Sequence, residues 1–318
     1  MNGLSKDSAS WHEVGEEGDD QRVDNYLTRL LKGVPKSHIY RILRSGEVRV
    51  NSGRVGPAHR LKPGDRLRLP PVQTAPRRAV SQAPNPAVPR LEPRILHEDD
   101  ALLVIDKPSG MAVHGGSGVS VGVIEQLRRE RPQARFLELV HRLDRDTSGL
   151  LLVAKKRAAL IALHAQLREG RVHKFYLTLV AGHWRNATQN VKLPLHKYVQ
   201  ASGERRVRVQ GEGQAAHTVF RMKQTLAGFS LLEAELKTGR THQIRVHLSH
   251  LGFPIAGDDK YGDFPLNKTL VRSGLKRMFL HACRLTITHP ESSQAVTYEA
   301  ALPEDLTAFL AHLATTHA

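Results

Sequence analysis

The sequence predicts an α+β protein in two parts, a small basic domain followed by a larger one built on a mixed, largely antiparallel central sheet. Three observations lead there. After residue 95, strand-like stretches alternate with occasional helical ones but never in a strict βαβα rhythm. Residues 21 to 80 hold fourteen Lys or Arg against Asp24, Glu47 and Asp65, so two thirds of the formal net charge of +16 sits in a fifth of the chain. Between the two parts, PPVQTAPRRAVSQAPNPAVPRLEP (residues 70–93) places seven prolines in twenty-four residues, a composition that cannot build a core and favours extended chain. The expected division is an acidic, mobile N-terminus over 1–20, the small domain over 21–70, a proline-rich linker over 71–94 and the large domain over 95–318.

In the small domain, Val23, Tyr26, Leu27, Leu30 and Leu31 recur at helical spacing until Lys32 and Gly33 stop the helix. Ser37 is placed to cap a second helix whose Ile39, Ile42 and Leu43 face inward, with His38, Arg41 and Arg44 on the other side. After Gly46 the pattern becomes alternating: EVRVN, a turn at Asn51 to Gly53, a second turn at Pro63 to Asp65, then RLRLP. In the large domain, Leu102 to Ile105 reads as a strand entering a turn at Lys107, Pro108 and Gly110. Ala158 to Arg168 reads as a helix ended by Gly170. Val172 to Val180 alternates, with Phe175, Leu177 and Leu179 on one face and Lys174, Tyr176 and Thr178 on the other. Thr241 to Leu251 reads as a helix with Ile244, Leu248 and Leu251 inward and His242, Arg245 and Ser249 on a different face.

Charge and composition narrow the function. A sequence pI near 10.3 points to a polyanionic partner, nucleic acid being the usual one. No stretch approaches a membrane span, and the first twenty residues set Lys6 against six acidic groups, the opposite of a signal peptide. The single cysteine, Cys283, excludes an internal disulfide and fits a reducing cytoplasm. His242, His247 and His250 cluster without an HExxH spacing, and the GGSG run at 115–118 is neither a P-loop nor GxGxxG, so neither metal nor cofactor is expected.

The run HRLDRDTSGLLLVAKK, residues 141–156, carries the most chemistry. A charged hexad lies between the apolar segments 136–140 and 150–154, which places it as a loop at the lip of a buried strand. Asp144, between Arg142 and Arg145, is a carboxylate held charged by nearby cations, as a nucleophile or base must be. The plain alternative is a solvated hairpin tip with a local ion pair.

This run resembles the catalytic motif of the RNA pseudouridine synthases related to the ribosomal and transfer RNA uridine isomerases, with Asp144 in the place of the catalytic aspartate. LLVIDKPSGMAVHGG (102–116), KFYLTLV (174–180), TGRTHQIRVHLSHLGFPIAGDDKYG (238–262) and FLHACRLTITHP (279–290) each resemble a further motif of that family, in the family's order. Residues 21–70, two short helices feeding a small sheet, are similar to the S4 (alpha-L) RNA-binding domain of ribosomal proteins, with Lys36, His38, Arg41, Arg44 and Arg49 as its expected RNA contacts. The resemblance implies a central sheet with the active cleft across it, and 23S ribosomal RNA of the large subunit as the partner of a monomeric enzyme. It further implies Tyr176 as the second catalytic residue, Arg245 as the arginine paired with Asp144, and Arg142 as the residue that enters the RNA stack when the target uridine swings out. The alternatives are a sister enzyme acting on another ribosomal or transfer RNA, and a non-enzymatic assembly factor that uses only the basic domain.

Overall fold

The computed structural model describes residues 8–31, 33–72, 89–115 and 121–315. The chain divides into two compact units, Met1–Ala83 and Pro84–Ala318. Most of the expected linker, 73–88, and the glycines at 116 and 118 lie outside the described residues.

The first unit packs α1 (Val23–Leu30) and α2 (Lys36–Arg44) on a sheet of β1 (Ser10–Glu13), β2 (Arg49–Val50), β3 (Gly53–Arg54) and β4 (Arg66–Leu69), in the order β1-β4-β2-β3. Val23, Leu27, Ile39, Ile42, Leu67 and Leu69 are fully buried between helices and sheet. Asn51 and Ser52 both adopt positive φ, the conformation a two-residue hairpin turn demands, and the Asn51 amide ties that turn to β4 by donating to Asp65 and accepting from the Arg66 N–H.

Three expectations are corrected in and around this unit. The acidic N-terminus is not separate from the small domain: Ser10–Glu13 pair antiparallel with Leu69–Arg66, because β4 would otherwise present an open edge. Ser37 does not cap α2. The helix begins at Lys36 after Pro35, whose ring satisfies the helical φ, and no side chain caps it. The expected linker is shorter than 71–94, since Val72 packs into the first unit's core. At its other end, Leu91 is fully buried in the second unit, with its N–H and that of Glu92 donating to the Glu130 carboxylate.

The second unit is built on one sheet. Its strands are β5 (Ile95–Glu98), β6 (Leu102–Lys107), β7 (Glu138–Leu139), β8 (Ser148–Ala154), β9 (His173–Ala181), β10 (Thr188–Val191), β13 (Thr218–Leu226), β14 (Phe229–Leu236), β15 (Leu280–Thr288) and β16 (Ala295–Glu299). The main path runs β10-β13-β14-β9-β15-β8-β6-β5, and only β15 and β8 pair in parallel, as a mixed, largely antiparallel sheet requires. A separate hairpin, β11 (Leu195–Val199) and β12 (Arg205–Val209), stands off this sheet. The helices are α3 (Val123–Glu130), α4 (Arg157–Arg168), α5 (Gln243–His250), α6 (Phe264–Arg272) and α7 (Glu304–Thr315). Every residue of β8 is buried, which is why its sequence SGLLLVA shows no alternation.

The helix at 243–250 departs from the expected one-sided pattern. Gln243 through Leu248 are all buried, Arg245 included, because Val207 of the β11–β12 hairpin packs on Val246, Asp258 takes Arg245, and Thr218 and the Leu193 carbonyl take His247.

Where β8 meets β15, Gly149 adopts φ +103, and a Cβ there would lie 2.2 Å from the Ala282 carbonyl oxygen. Both backbone strain and steric conflict oppose any side chain. Gly149→Ala is expected to lose about 2–5 kcal/mol of stability, read as a lowered urea midpoint of the full chain. A midpoint within experimental error of the parent would mean the two strands can separate there without cost.

Candidate active site

The loop that carries Asp144 is pinned at both ends before any catalytic group is considered. Burial pushes the His141 imidazole down to about 4, so the neutral ring accepts the Leu152 N–H at 3.2 Å. On the other side, the fully buried Lys107 ammonium donates to the carbonyls of Pro108, Met111 and Arg145 at 2.9, 2.8 and 3.0 Å. Burial brings this amine down to about 7, with Asp146, Asp144 and Asp106 opposing the fall. Three acceptors call for three donors, which only the charged form supplies. Ser109 adds a 2.7 Å bond to the Asp146 carbonyl.

Asp144 then points into a cleft of about 590 Å³. Its lining includes Arg142, Arg168, Lys174, Tyr176, Lys237, Arg240, His242 and Arg245, and among the described residues Asp144 is the one acidic side chain there. Tyr176 forms part of the floor. In the sheet it lies opposite Ala234 on one side and Ala282 on the other, and the residue is 6% exposed. Burial first, and then the Asp144 charge, push its phenol well above the usual tyrosine range, so it stays protonated through neutral pH.

Arg245 connects the cleft to the interior. Its Nε and Nη2 donate to both oxygens of Asp258 at 2.8 and 2.7 Å, a two-pronged grip, while Nη1 reaches Asp144 Oδ2 at 3.4 Å. Asp258 in turn accepts the backbone N–H groups of Lys260 and Tyr261. Burial acts to raise the Asp258 carboxyl, but the Arg245 bond and charge outweigh it and hold it below the usual carboxylate range. The Tyr261 ring lies under the Arg245 guanidinium at 5.2 Å, and its hydroxyl bonds His242 Nδ1 at 2.8 Å. His242, at φ +53, brings Nε2 to 3.9 Å from Asp144 Oδ1.

The structure thus brings Asp144, Tyr176 and Arg245 together and sets Arg142, exposed, among the residues lining the same cleft. It corrects the electrostatics around Asp144. The flanking arginines are not its partners: Arg145 bonds Asp146 at 3.1 Å, and the cation on Asp144 comes from α5, a hundred residues away. Asp146 itself lines a different hollow with Arg94, Asp106, Lys276 and Arg277. The three histidines part company, His242 toward Asp144, His247 buried on Thr218 and the Leu193 carbonyl, His250 exposed. In the first unit Lys36, Arg41 and Arg44 are exposed and His38 half-buried on α2, whereas Arg49 lies on the sheet. Sequence reasoning missed Asp258 and Tyr261. The GDDKYG run offered two adjacent aspartates, and only the fold reveals that Asp258 turns inward while Asp259 stays largely exposed.

A carboxylate reached by a buried arginine, in a cation-lined cleft that also holds a tyrosine, suits carboxylate-dependent chemistry on a polyanionic substrate. Comparison with known proteins agrees: the RNA pseudouridylate synthase family profile matches residues 101–250, and the S4 domain profile matches residues 21–67. The ribosomal large subunit pseudouridine synthase C of Escherichia coli K12 is 54% identical over 289 residues, covering 90% of this chain and 91% of its own. The same-named protein of Haemophilus influenzae is 50% identical over 301 residues, 94% of each chain. Human RNA pseudouridylate synthase domain containing 4 superposes with a TM-score of 0.58 at 26% identity, over 70% of this chain and 94% of its own. The chain belongs to the RNA pseudouridine synthase family, with an S4 domain at its N-terminus.

Asp258→Asn leaves Arg245 buried against a neutral amide. Breaking one side of a buried pair costs about 3–5 kcal/mol, and a misaimed Arg245 is expected to lower kcat by about a hundredfold. Because the folded Asp258 carboxyl lies below its unfolded value of 3.8, its contribution is complete above that pH and is lost as pH falls toward the folded value. The stability gap between parent and variant, measured by urea unfolding, should therefore narrow below pH 3.8. A gap constant down to pH 3 would mean that folding does not lower the Asp258 carboxyl.

Proposed function

We propose that the chain isomerises specific uridines to pseudouridine in 23S ribosomal RNA of the large ribosomal subunit, acting as a cytoplasmic monomer through Asp144 without metal or cofactor. The observation that carries this reading is the single carboxylate: Asp144 lies within reach of a buried arginine in a cleft lined by cations and by Tyr176. The names of the relatives at about half identity support the choice of RNA.

The chemistry needs little else. Breaking the N-1 to C-1′ bond develops positive charge at C-1′, which a fixed carboxylate stabilises or attacks. Hydrolysis would need a second carboxyl group and a water, whereas isomerisation returns the same uracil through C-5, so one carboxylate suffices. Arg245 orients Asp144. Tyr176, protonated and lining the cleft, supplies the ring edge against which uracil packs while it turns. Its hydroxyl acts on the C-5 proton only if its own proton leaves in the same step. Arg142 fills the space the uridine vacates. Lys36, His38, Arg41, Arg44 and Arg49 contact phosphates outside the cleft.

The test of the whole reading is a pseudouridine map of cellular RNA with and without the protein, the expected losses falling in 23S ribosomal RNA. Losses confined to transfer RNA would overturn the substrate assignment and leave the chemistry standing. Asp144→Asn preserves volume and removes charge, so release of the uracil C-5 hydrogen should fall by about three orders of magnitude or more while RNA binding persists. Near-normal release would remove Asp144 from the chemistry.

Arg142 does physical work on this reading. Extracting a stacked uridine costs roughly a few kcal/mol, part of which the inserted side chain recovers. Arg142→Ala should slow single-turnover reaction on structured RNA by about 30- to 200-fold, equivalent to about 2–3 kcal/mol. It should slow reaction far less on RNA whose target is already unpaired. Equal losses on both would place Arg142 in chemistry or folding.

A further inference from the structure

The solvent face of the first unit's sheet carries a row that its fold does not require. Register places Trp11 of β1 directly opposite Arg68 of β4, Arg68 opposite Arg49 of β2, and Arg49 opposite Arg54 of β3. Residues directly opposite in antiparallel strands share a face, so one tryptophan and three arginines form a line across all four strands. Arg66, two residues from Arg68 and so on the same face, holds its guanidinium 5.2 Å from the Trp11 ring centre. Trp11 is 45% exposed, while the opposite face of these strands, through Val50, Leu67 and Leu69, buries the unit's core.

Folding alone disfavours this arrangement. Like charges directly opposite one another destabilise a sheet, and here two successive cross-strand pairs are Arg–Arg. No carboxylate within ion-pair distance relieves them among the described residues. Arg68 donates to the Glu47 carbonyl, Arg54 to that of Ser45, and Arg49 weakly to those of Gly46 and Ser52, contacts that orient the guanidinium groups without neutralising them. Glu13 lies across from Arg66 without pairing, and the Glu47 carboxylate is engaged by Ser45 and Arg41.

From this row we infer that the sheet face is a second RNA site, distinct from the α2 face of Lys36, His38, Arg41 and Arg44 and meeting it at Arg49, which takes a short single-stranded segment by stacking one unpaired base on Trp11 and seating its phosphates on Arg49, Arg54, Arg66 and Arg68. An exposed aromatic beside a track of cations is the arrangement that binds single strands without reading sequence. A rigid duplex keeps its bases stacked on one another and offers none to Trp11. The inference goes beyond the proposed isomerisation and does not depend on which uridine is modified.

Trp11 reports its own occupancy. The chain has two tryptophans, and Trp184 is buried, so the fluorescence difference between the full-length parent and Trp11→Phe isolates Trp11. A ten-nucleotide uridine oligomer should quench that difference signal, and a duplex RNA of equal length should quench it much less. By anisotropy of the labelled oligomer, Trp11→Ala should weaken binding about 5- to 100-fold and Trp11→Phe should retain most of it. Joint Arg49→Gln and Arg68→Gln substitution should lower the log–log salt slope by about 1.4, two single-strand phosphate contacts. Hydrogen release from the uracil C-5 of a saturating short substrate, followed in the parent, tests the isomerase reading separately. No quench at saturating oligomer, or Trp11→Ala binding like the parent, would overturn the inference. Quenching by polyglutamate as strong as by RNA would overturn it in favour of an acidic protein partner.

Discussion

A guanidinium buried to 4% exposure, gripped by Asp258 with Asp144 and the exposed Asp259 at longer range, is the constraint on which the second unit's site depends. A charge taken out of water carries a large desolvation penalty, repaid only by close and well-directed partners. Asp258 supplies most of that repayment through two bonds of 2.7 and 2.8 Å, and it is itself braced by two backbone N–H groups. Asp144 receives only the third arm, at 3.4 Å. The inequality matters. Had Asp144 been the main partner, its charge would be spent on holding α5, and an incoming electrophile would have to break a strong ion pair. With Asp258 as the structural counterion, Arg245 orients Asp144 and leaves its charge largely available.

That division of labour sets requirements on elements far from the cleft. Asp258 reaches Arg245 because α5 is covered by the β11–β12 hairpin, whose Val207 packs on Val246 while the Val207 N–H bonds Tyr261 and so fixes the ring beneath the guanidinium. Asp144 reaches the same guanidinium because its loop cannot drift. His141 is held by β8, Arg145 by the Lys107 ammonium, Asp146 by Ser109. Each anchor uses a backbone group, so the loop's shape is specified without occupying the Asp144 carboxylate.

How much of this could be read from residues alone follows from the range of the forces involved. The small domain's helices, its Asn51 turn and the buried strand after Gly149 are local patterns, set by periodicity and turn chemistry within a few residues, and they emerged where the sequence placed them. Strand β1 escaped because four residues reading SWHE carry too little apolar signal to outweigh the acidic neighbours, and only the open edge of β4 makes a strand of them. Arg245 was identified by resemblance, yet its burial was not, since helical spacing shows which residues share a face and not what will cover it. The pairing of Arg145 with Asp146, and of Asp144 with a residue of α5, illustrates the same limit. Sequence neighbours are plausible counterions until a fold supplies a better one. Asp258 lay in plain sight beside Asp259, and no one-dimensional pattern distinguishes the inward from the outward of two adjacent aspartates.

The cations around Asp144 give the site a further property once RNA is considered as an ionic partner. Arg142, Arg168, Lys174, Lys237 and Arg240 line the cleft with no second carboxylate among the described residues, so the cleft is a region of positive potential that draws a polyanion. Phosphates that enter then pair with these rim cations and cancel much of their field, while the nucleoside displaces water and lowers the local dielectric. Arg245 is the cation least affected by that cancellation, because it is buried and already paired with Asp258. On the proposed assignment, Asp144 therefore faces C-1′ with one orienting cation in place of six, at the moment when screening by water is least. The cations that draw the RNA in are then the ones its phosphates neutralise, and the Asp258-bound Arg245 is left to orient the carboxylate.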